Sequence, residues 1–157
     1  MSISIMLKNL LAVGVIGTAI LVTGCQTTPN AAAGIQANNL SLLQSKTWYL
    51  TQIGHTEIKT TADRNTPTLQ FDQSTQRLSG SDGCNRIMGS YTAGRDTLTL
   101  GPVASTRMAC LNNGNIDQQF NEALAKTANY QAYGKTLKLT DRHGNVVLQF
   151  TSEVPQQ

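Results

Sequence analysis

Charge is scarce in this chain: 12 basic and 9 acidic side chains make up 13% of 157 residues, and neither sign forms a run. Nucleic-acid binders carry a clustered basic face. The scattered lysines and arginines here, with only 5% aromatic residues and no DNA or RNA motif, give no such footprint, so no nucleic-acid partner is expected. Histidine is nearly absent. His55 and His143 stand apart in polar stretches without ligand spacing, and no CxxC pair occurs, so a metal site fails on count. The GxSxG nucleophile elbow is missing, and no nucleophile lies in a motif with a base; neither an enzyme nor a cofactor is expected. Nor does any apolar run reach the roughly 20 residues that span a bilayer comfortably.

What is present begins with an export signal. Lys8 supplies a positive flank, and Leu10 to Val22 form an apolar run interrupted by Gly14, Gly17 and Thr18. Val22, Thr23, Gly24 and Cys25 then resemble a bacterial lipobox, in which a cysteine is diacylated, becomes the first residue after cleavage and is N-acylated. The competing readings are an ordinary secretory peptide with an incidental cysteine, or a signal anchor. Lipidation of Cys25 predicts residues 1–24 as a lipoprotein signal peptide and a protein anchored through its lipid without spanning the membrane, since each buried methylene contributes about 0.8 kcal/mol. Gln26 follows the cysteine, where an aspartate would favour retention in an inner membrane. The expected address is the cell envelope: the outer membrane, facing the periplasm, in a Gram-negative host, and the cell surface in a Gram-positive one.

Residues 25–39 are rich in Thr, Pro, Asn, Ala, Gly and Gln, with Ile35 as the one sizeable apolar side chain, and read as a lipidated N-terminus and flexible linker. From residue 40 to 157 no second low-complexity break appears, which predicts one domain. Its patterns are mostly of period two. Thr47 to Ile53, Thr68 to Asp72, Arg77 to Ser81, Gly89 to Ala93, Thr97 to Gly101, Tyr130 to Tyr133, Thr136 to Thr140 and Val146 to Thr151 read as strands, with a further short one around Glu57 to Thr60. Trp48, Leu50, Leu69, Phe71, Leu98, Leu100, Leu137, Leu139, Val146, Leu148 and Phe150 are the expected inward set. Gly94 is expected to supply a positive φ in the turn between the strands around it. A period near 3.6 appears once, through Ile116, Phe120, Ala123, Leu124 and Thr127, predicting a helix from about Ile116 to Ala128 with Asn115 as cap and Gln118 closing a capping box. Asn39 to Gln44 add a helical turn. The expected fold is mainly β: a small curled antiparallel sheet or barrel of seven or eight short strands with one packed helix.

The stretch from Leu78 to Cys110 organises this domain. Cys84 and Cys110 are expected to pair in a disulfide, as cysteines of exported domains usually do; two buried reduced thiols are the alternative. The bond would close a loop of about 26 residues, which the chain-entropy relation values at roughly 3.5 kcal/mol. Asp82, Asp96 and Asp141 occupy turn-like contexts and read as turn caps. Arg86 and Arg107 each lie close to a cysteine, so a disulfide brings the guanidinium groups into one neighbourhood. They, with Asn85, are the candidate binding residues for an anion, a carboxylate or an acidic partner loop. The competing readings have each arginine pin a loop through carbonyls or Asp82, and Asn85 satisfy loop amides. Met88 and Met108 are expected to fill core space.

The same residues carry a resemblance. Gly80-Ser81-Asp82-Gly83-Cys84-Asn85-Arg86, then Gly89 and Tyr91, then Ser105-Thr106-Arg107-Met108-Ala109-Cys110, then a helix with Phe120 and Leu124 and a strand with Leu137-Lys138-Leu139, resemble the META domain, also called the HslJ heat-shock lipoprotein family. Trp48 near the domain start fits as well. The resemblance covers about Thr47 to Phe150. It implies a lipocalin-like barrel with one helix, exported and often lipid-anchored, linked with heat shock and novobiocin tolerance, and with no catalytic residues or settled ligand to carry over. The functional expectation is a non-catalytic envelope lipoprotein that contributes to stress or drug tolerance by binding another envelope component. A surface-anchored inhibitor or chaperone of a hydrolase or secretion component, and a carrier of a lipid or small apolar ligand, are the alternatives.

Overall fold

The computed structural model describes residues 39–59, 66–110 and 114–155; the signal peptide, Cys25 and the linker up to residue 38 lie outside the described residues. Ten strands among these residues make one antiparallel sheet: β1 (Thr47–Ile53), β2 (Thr56–Glu57), β3 (Thr68–Asp72), β4 (Arg77–Ser81), β5 (Arg86–Ala93), β6 (Leu98–Leu100), β7 (Ala104–Ser105), β8 (Asn129–Tyr133), β9 (Thr136–Thr140) and β10 (Val146–Thr151). Eight of them follow the order β6-β5-β4-β3-β1-β10-β9-β8, with β2 attached to β1 and β7 to β5. The two ends of that path meet. Thr97 bridges Asn129, the Leu98 N–H donates to the Ala128 carbonyl at 2.9 Å, and the Tyr130 N–H donates to the Asp96 carbonyl at 2.7 Å, so the sheet curls into a nearly closed barrel. Closure at this point covers part of the edge that an open sheet would expose.

Alternation along each strand fills the inside. Trp48 and Leu50 of β1, Leu69 and Phe71 of β3, Leu78 of β4, Ile87 and Tyr91 of β5, Leu137 and Leu139 of β9, and Leu148 and Phe150 of β10 are all buried in one cluster. An eight-stranded barrel is just wide enough for such side chains to occupy it. Phe71 and Tyr91 meet edge to face with ring centroids 5.1 Å apart. Close strand approach depends on Gly80, where a Cβ would lie 2.0 Å from the Thr68 carbonyl oxygen.

Helices cover the ends. In α1, residues 39–44, Leu43 is fully buried and its carbonyl accepts the Trp48 indole N–H at 3.0 Å. Asn39 ties this helix across the β6–β8 seam, donating to the Arg95 carbonyl at 2.9 Å and accepting the Ala132 N–H at 2.7 Å. Helix α2 (Ile116–Ala125) buries Phe120, Ala123 and Leu124, and Phe120 stacks edge to face on Phe150 at 6.3 Å.

Several sequence expectations change here. Two of the ten strands, β2 and β7, are two-residue pairs, and β5 starts at Arg86 because β4 and β7 pair it on both sides. Val146 is only half-buried: the ladder with β9 shifts between Val146 and Leu148 and takes it out of step with the inward set. Gly94 has no positive φ; its need is space, since a Cβ there would sit 2.5 Å from the Thr97 hydroxyl. Helix α2 ends at Ala125, because the Lys126 and Thr127 N–H groups turn back to Ala123 and Leu124 and the Ala128 N–H goes to Thr140. Asn115 caps it in a left-handed conformation, φ 59°, with no side-chain cap bond to the helix, and Gln118 donates to Glu122, so no capping box forms.

Candidate functional site

The turn between β4 and β5 is built around a buried carboxylate. Asp82 is 1% exposed, and its Oδ1 accepts the Cys84 N–H at 3.0 Å and the Asn85 N–H at 2.6 Å, an aspartate bonding its own turn. Its Oδ2 accepts the Asn121 side-chain amide of α2 at 2.9 Å, which fastens the turn to the helix. Asn85, also buried, repeats the pattern toward the other loop: Oδ1 accepts the Met108 N–H at 2.8 Å and the Thr106 hydroxyl at 3.2 Å, and Nδ2 donates to the Cys110 sulfur at 3.5 Å. Main-chain bonding continues the join, the Thr106 N–H donating to the Arg86 carbonyl at 3.1 Å. Cys84 and Cys110 are bonded to each other, their Cα atoms 5.8 Å apart. A polar clamp, a strand pair and a covalent link thus hold residues 82–86 and 104–110 as one piece.

Of the candidate binding residues, Asn85 is committed to this internal clamp and is not presented to a ligand. Arg86 and Arg107 are exposed. Neither pins a loop: Asp82 is taken up by main-chain and Asn121 donors, and the ion pairs found among the described residues, Lys135–Glu153 and His143–Asp141, leave both arginines out. Met88 and Met108 do not fill the core. They are 54% and 61% exposed, because Met88 is on the outer face of β5, opposite Ala104 of β7, and Met108 rides on the clamped loop. The surface of the clamp therefore combines two cationic forks with thioether side chains.

Asp141 bonds its own turn as Asp82 does, accepting the Asn145 side-chain amide and the His143 and Asn145 N–H groups, and these bonds hold its carboxyl below its ordinary value, the Asn145 side chain being the largest cause. The His143 side chain is 76% exposed, and His55 is exposed as well. No group of three or more His, Cys, Asp or Glu among the described residues is placed to hold a metal ion. No helix among them is long and apolar enough to cross a membrane.

Sequence reasoning missed the Asn121 tie and a cleft of about 690 Å³ between the β6–β7 segment and the C-terminal half of α2. Both join segments that are remote in the chain, and no local pattern signals such a meeting.

The sequence profile of the META domain matches residues 41–154. The chain belongs to the META domain family. Its fold is shared by a protein from Burkholderia xenovorans solved by NMR, 29% identical with a TM-score of 0.59 over 79% of this chain and 89% of that one. A second NMR structure is 27% identical, TM-score 0.55, covering 70% and 91% of the two chains. A crystal structure of a DUF4847 family protein from Bacteroides vulgatus, 18% identical with a TM-score of 0.55 over 73% and 96% of the chains, shares the fold alone. No curated protein matches the chain. The META domain is not a known enzyme family.

Proposed function

We propose that this META domain is the non-catalytic binding end of a lipid-anchored envelope protein of the HslJ type, contributing to stress or drug tolerance by engaging an acidic surface of another envelope component. The observation that carries the reading is the state of Arg86 and Arg107: both are exposed and without an ion-pair partner among the described residues, on loops that Asp82, Asn85 and the disulfide hold still. Unneutralised guanidinium groups carried on a fixed backbone favour bidentate carboxylate recognition, because little backbone freedom is lost on binding. Exposed Met88 and Met108 add adaptable apolar contact beside them. The lipobox at Val22–Cys25 supports the address, and the filled barrel supports a surface role over an internal carrier.

The test is crosslinking in intact cells followed by pull-down, with the lipidated wild type beside an Arg86→Ala, Arg107→Ala double variant. A partner captured by the wild type and lost in the variant is the expected result. Equal capture by both places the contact elsewhere and ends this reading. Anchoring is checked separately by metabolic palmitate labelling, where Cys25→Ser abolishes incorporation; labelling that persists would remove the lipoprotein assignment.

A further inference from the structure

We propose that the cleft beside β6 is a peptide site, which takes an extended, uncharged segment of a partner polypeptide as an added strand on Leu100. The barrel seam is short. β6 and β8 bond around Thr97 and Asn129 and then part, because the Ala128 N–H turns to Thr140 instead of continuing the ladder. Below that point β6 faces α2 across the cleft, with Leu100, Pro102 and Val103 on one wall and Leu124, Ala125 and Ala128 on the other.

Alternation fixes what β6 offers to this space. The Gly94 N–H bonds the Thr97 carbonyl and the Gly101 N–H bonds the Ser90 carbonyl across the β5–β6 ladder, so Leu98 and Leu100 turn their main-chain groups away from β5. The Leu98 N–H is used by Ala128. The Leu100 N–H and carbonyl have no hydrogen-bond partner among the described residues. A donor and an acceptor side by side on one half-buried strand residue form the pair that an antiparallel strand meets. In the opposite wall, beside Ala128, the Thr127 hydroxyl is buried and without a hydrogen-bond partner.

The lining selects among occupants. Every residue around the cleft is uncharged, so a charged segment would lose hydration without compensation. The volume, about 690 Å³, and the open side suit a short chain passing through. A purely apolar molecule would leave the Leu100 pair unsatisfied; an extended backbone satisfies it and places alternate side chains against Leu124 and Val103. The site shares no residue with the arginine surface and stands independently of it.

The test uses the mature chain isolated from membranes and held in lipid nanodiscs, titrated against a fluorescein-labelled, end-capped peptide alternating Val and Ser, read by anisotropy. The comparison probe is the same peptide N-methylated at alternate amides. Expected is micromolar binding that falls at least tenfold on N-methylation. Leu100→Pro, which removes an N–H that bonds nothing in the fold, is expected to weaken binding by a similar factor. Ala125→Trp, an exposed helix position that fills the cleft from the other wall, checks the site without touching β6; the fluorescence of Trp48 reports that Leu100→Pro is folded, and far-UV circular dichroism does so for Ala125→Trp, which carries a second indole. Absence of binding at millimolar peptide overturns the proposal, as does binding indifferent to N-methylation or to both substitutions. A tenfold gain on deleting residues 26–38 would make this chain's own linker the occupant. A fluorescent fatty acid blocked by Ala125→Trp but not by Leu100→Pro would make the cleft a lipid site. Either of these results also overturns the assignment.

Discussion

Replacing Asp82 with alanine is expected to destabilise the domain by about 3 kcal/mol while leaving its disulfide intact. The carboxylate accepts from the Cys84 N–H at 3.0 Å, the Asn85 N–H at 2.6 Å and the Asn121 amide at 2.9 Å. A buried donor left without a partner costs about 1–3 kcal/mol. Asn85 is buried, so its N–H carries the full penalty; Cys84 and Asn121 are half-buried and recover part of theirs from water, which brings the sum to about 3 kcal/mol. Against a net stability of about 5–15 kcal/mol the loss is large, and it corresponds to a melting-point drop of about 12 °C. Asp82→Asn keeps one acceptor oxygen for the turn but confronts the Asn121 amide with a second amide, so about 1 kcal/mol is expected. Urea unfolding followed by Trp48, the single tryptophan and fully buried, reads both variants. An alanine variant within about 0.5 kcal/mol of wild type, below even one unsatisfied donor, would refute the claim that this carboxylate holds the turn. So would an asparagine variant as damaged as the alanine one.

Removing both thiols with Cys84→Ser and Cys110→Ser releases a 26-residue separation, for an expected loss of about 3.5 kcal/mol and a steeper urea dependence from the longer unfolded chain; an unchanged midpoint would show that the bond contributes nothing. Thr127→Val should raise stability by about 1 kcal/mol, because the hydroxyl it removes is buried and unpaired. A lowered urea midpoint would mean that the hydroxyl has a role the packing does not reveal. In the turn after β3, bonds from the Ser74 and Thr75 side chains, in that order, hold the Asp72 carboxyl at about 2 against an ordinary 3.8. The folded value is the lower one, so this contribution is present above pH 3.8 and is lost as pH falls through that value toward 2. Stability of Asp72→Asn should therefore vary less with acidification across that window, and a pH profile identical to wild type would contradict the assignment.

How much was legible in the sequence follows from the range of each interaction. Leu69 and Phe71, or Leu137 and Leu139, announce a strand within five residues, because period two is local, and both strands fall where the alternation puts them. Phe120, Ala123 and Leu124 announce α2 for the same reason, whereas its end is set by Thr140 on another strand and could not be read from the helix sequence. Met88 misled because methionine is usually buried; its outward direction follows from register with Ser79 and Ala104, which composition does not carry. At the clamp, the Asp82 turn is written in Asp-Gly-Cys-Asn, but the use of Asn85 to hold Met108 crosses 23 positions and appears only in three dimensions. The cleft is the extreme case, since its walls are residues 98–105 and 121–128 and its polar feature is an unpaired backbone.

Both proposed surfaces border one strip of chain, from Gly101 to Cys110. Its first residues wall the cleft and its last carry Arg107 and Met108. The strip is fixed at both ends: the Gly101 N–H bonds Ser90, and Cys110 is bonded to Cys84, with Thr106 paired to Arg86 between them. A strip held this way has little freedom to transmit a displacement, so occupation of one surface should leave the other unchanged in affinity. Independence of that kind favours a particular class of partner. One that carries an extended uncharged segment next to an acidic patch would engage both surfaces, and the second contact would form at the high effective concentration set by the first. Two weak sites on one small domain then give firm capture of such a partner, while proteins offering only one of the two features are held weakly.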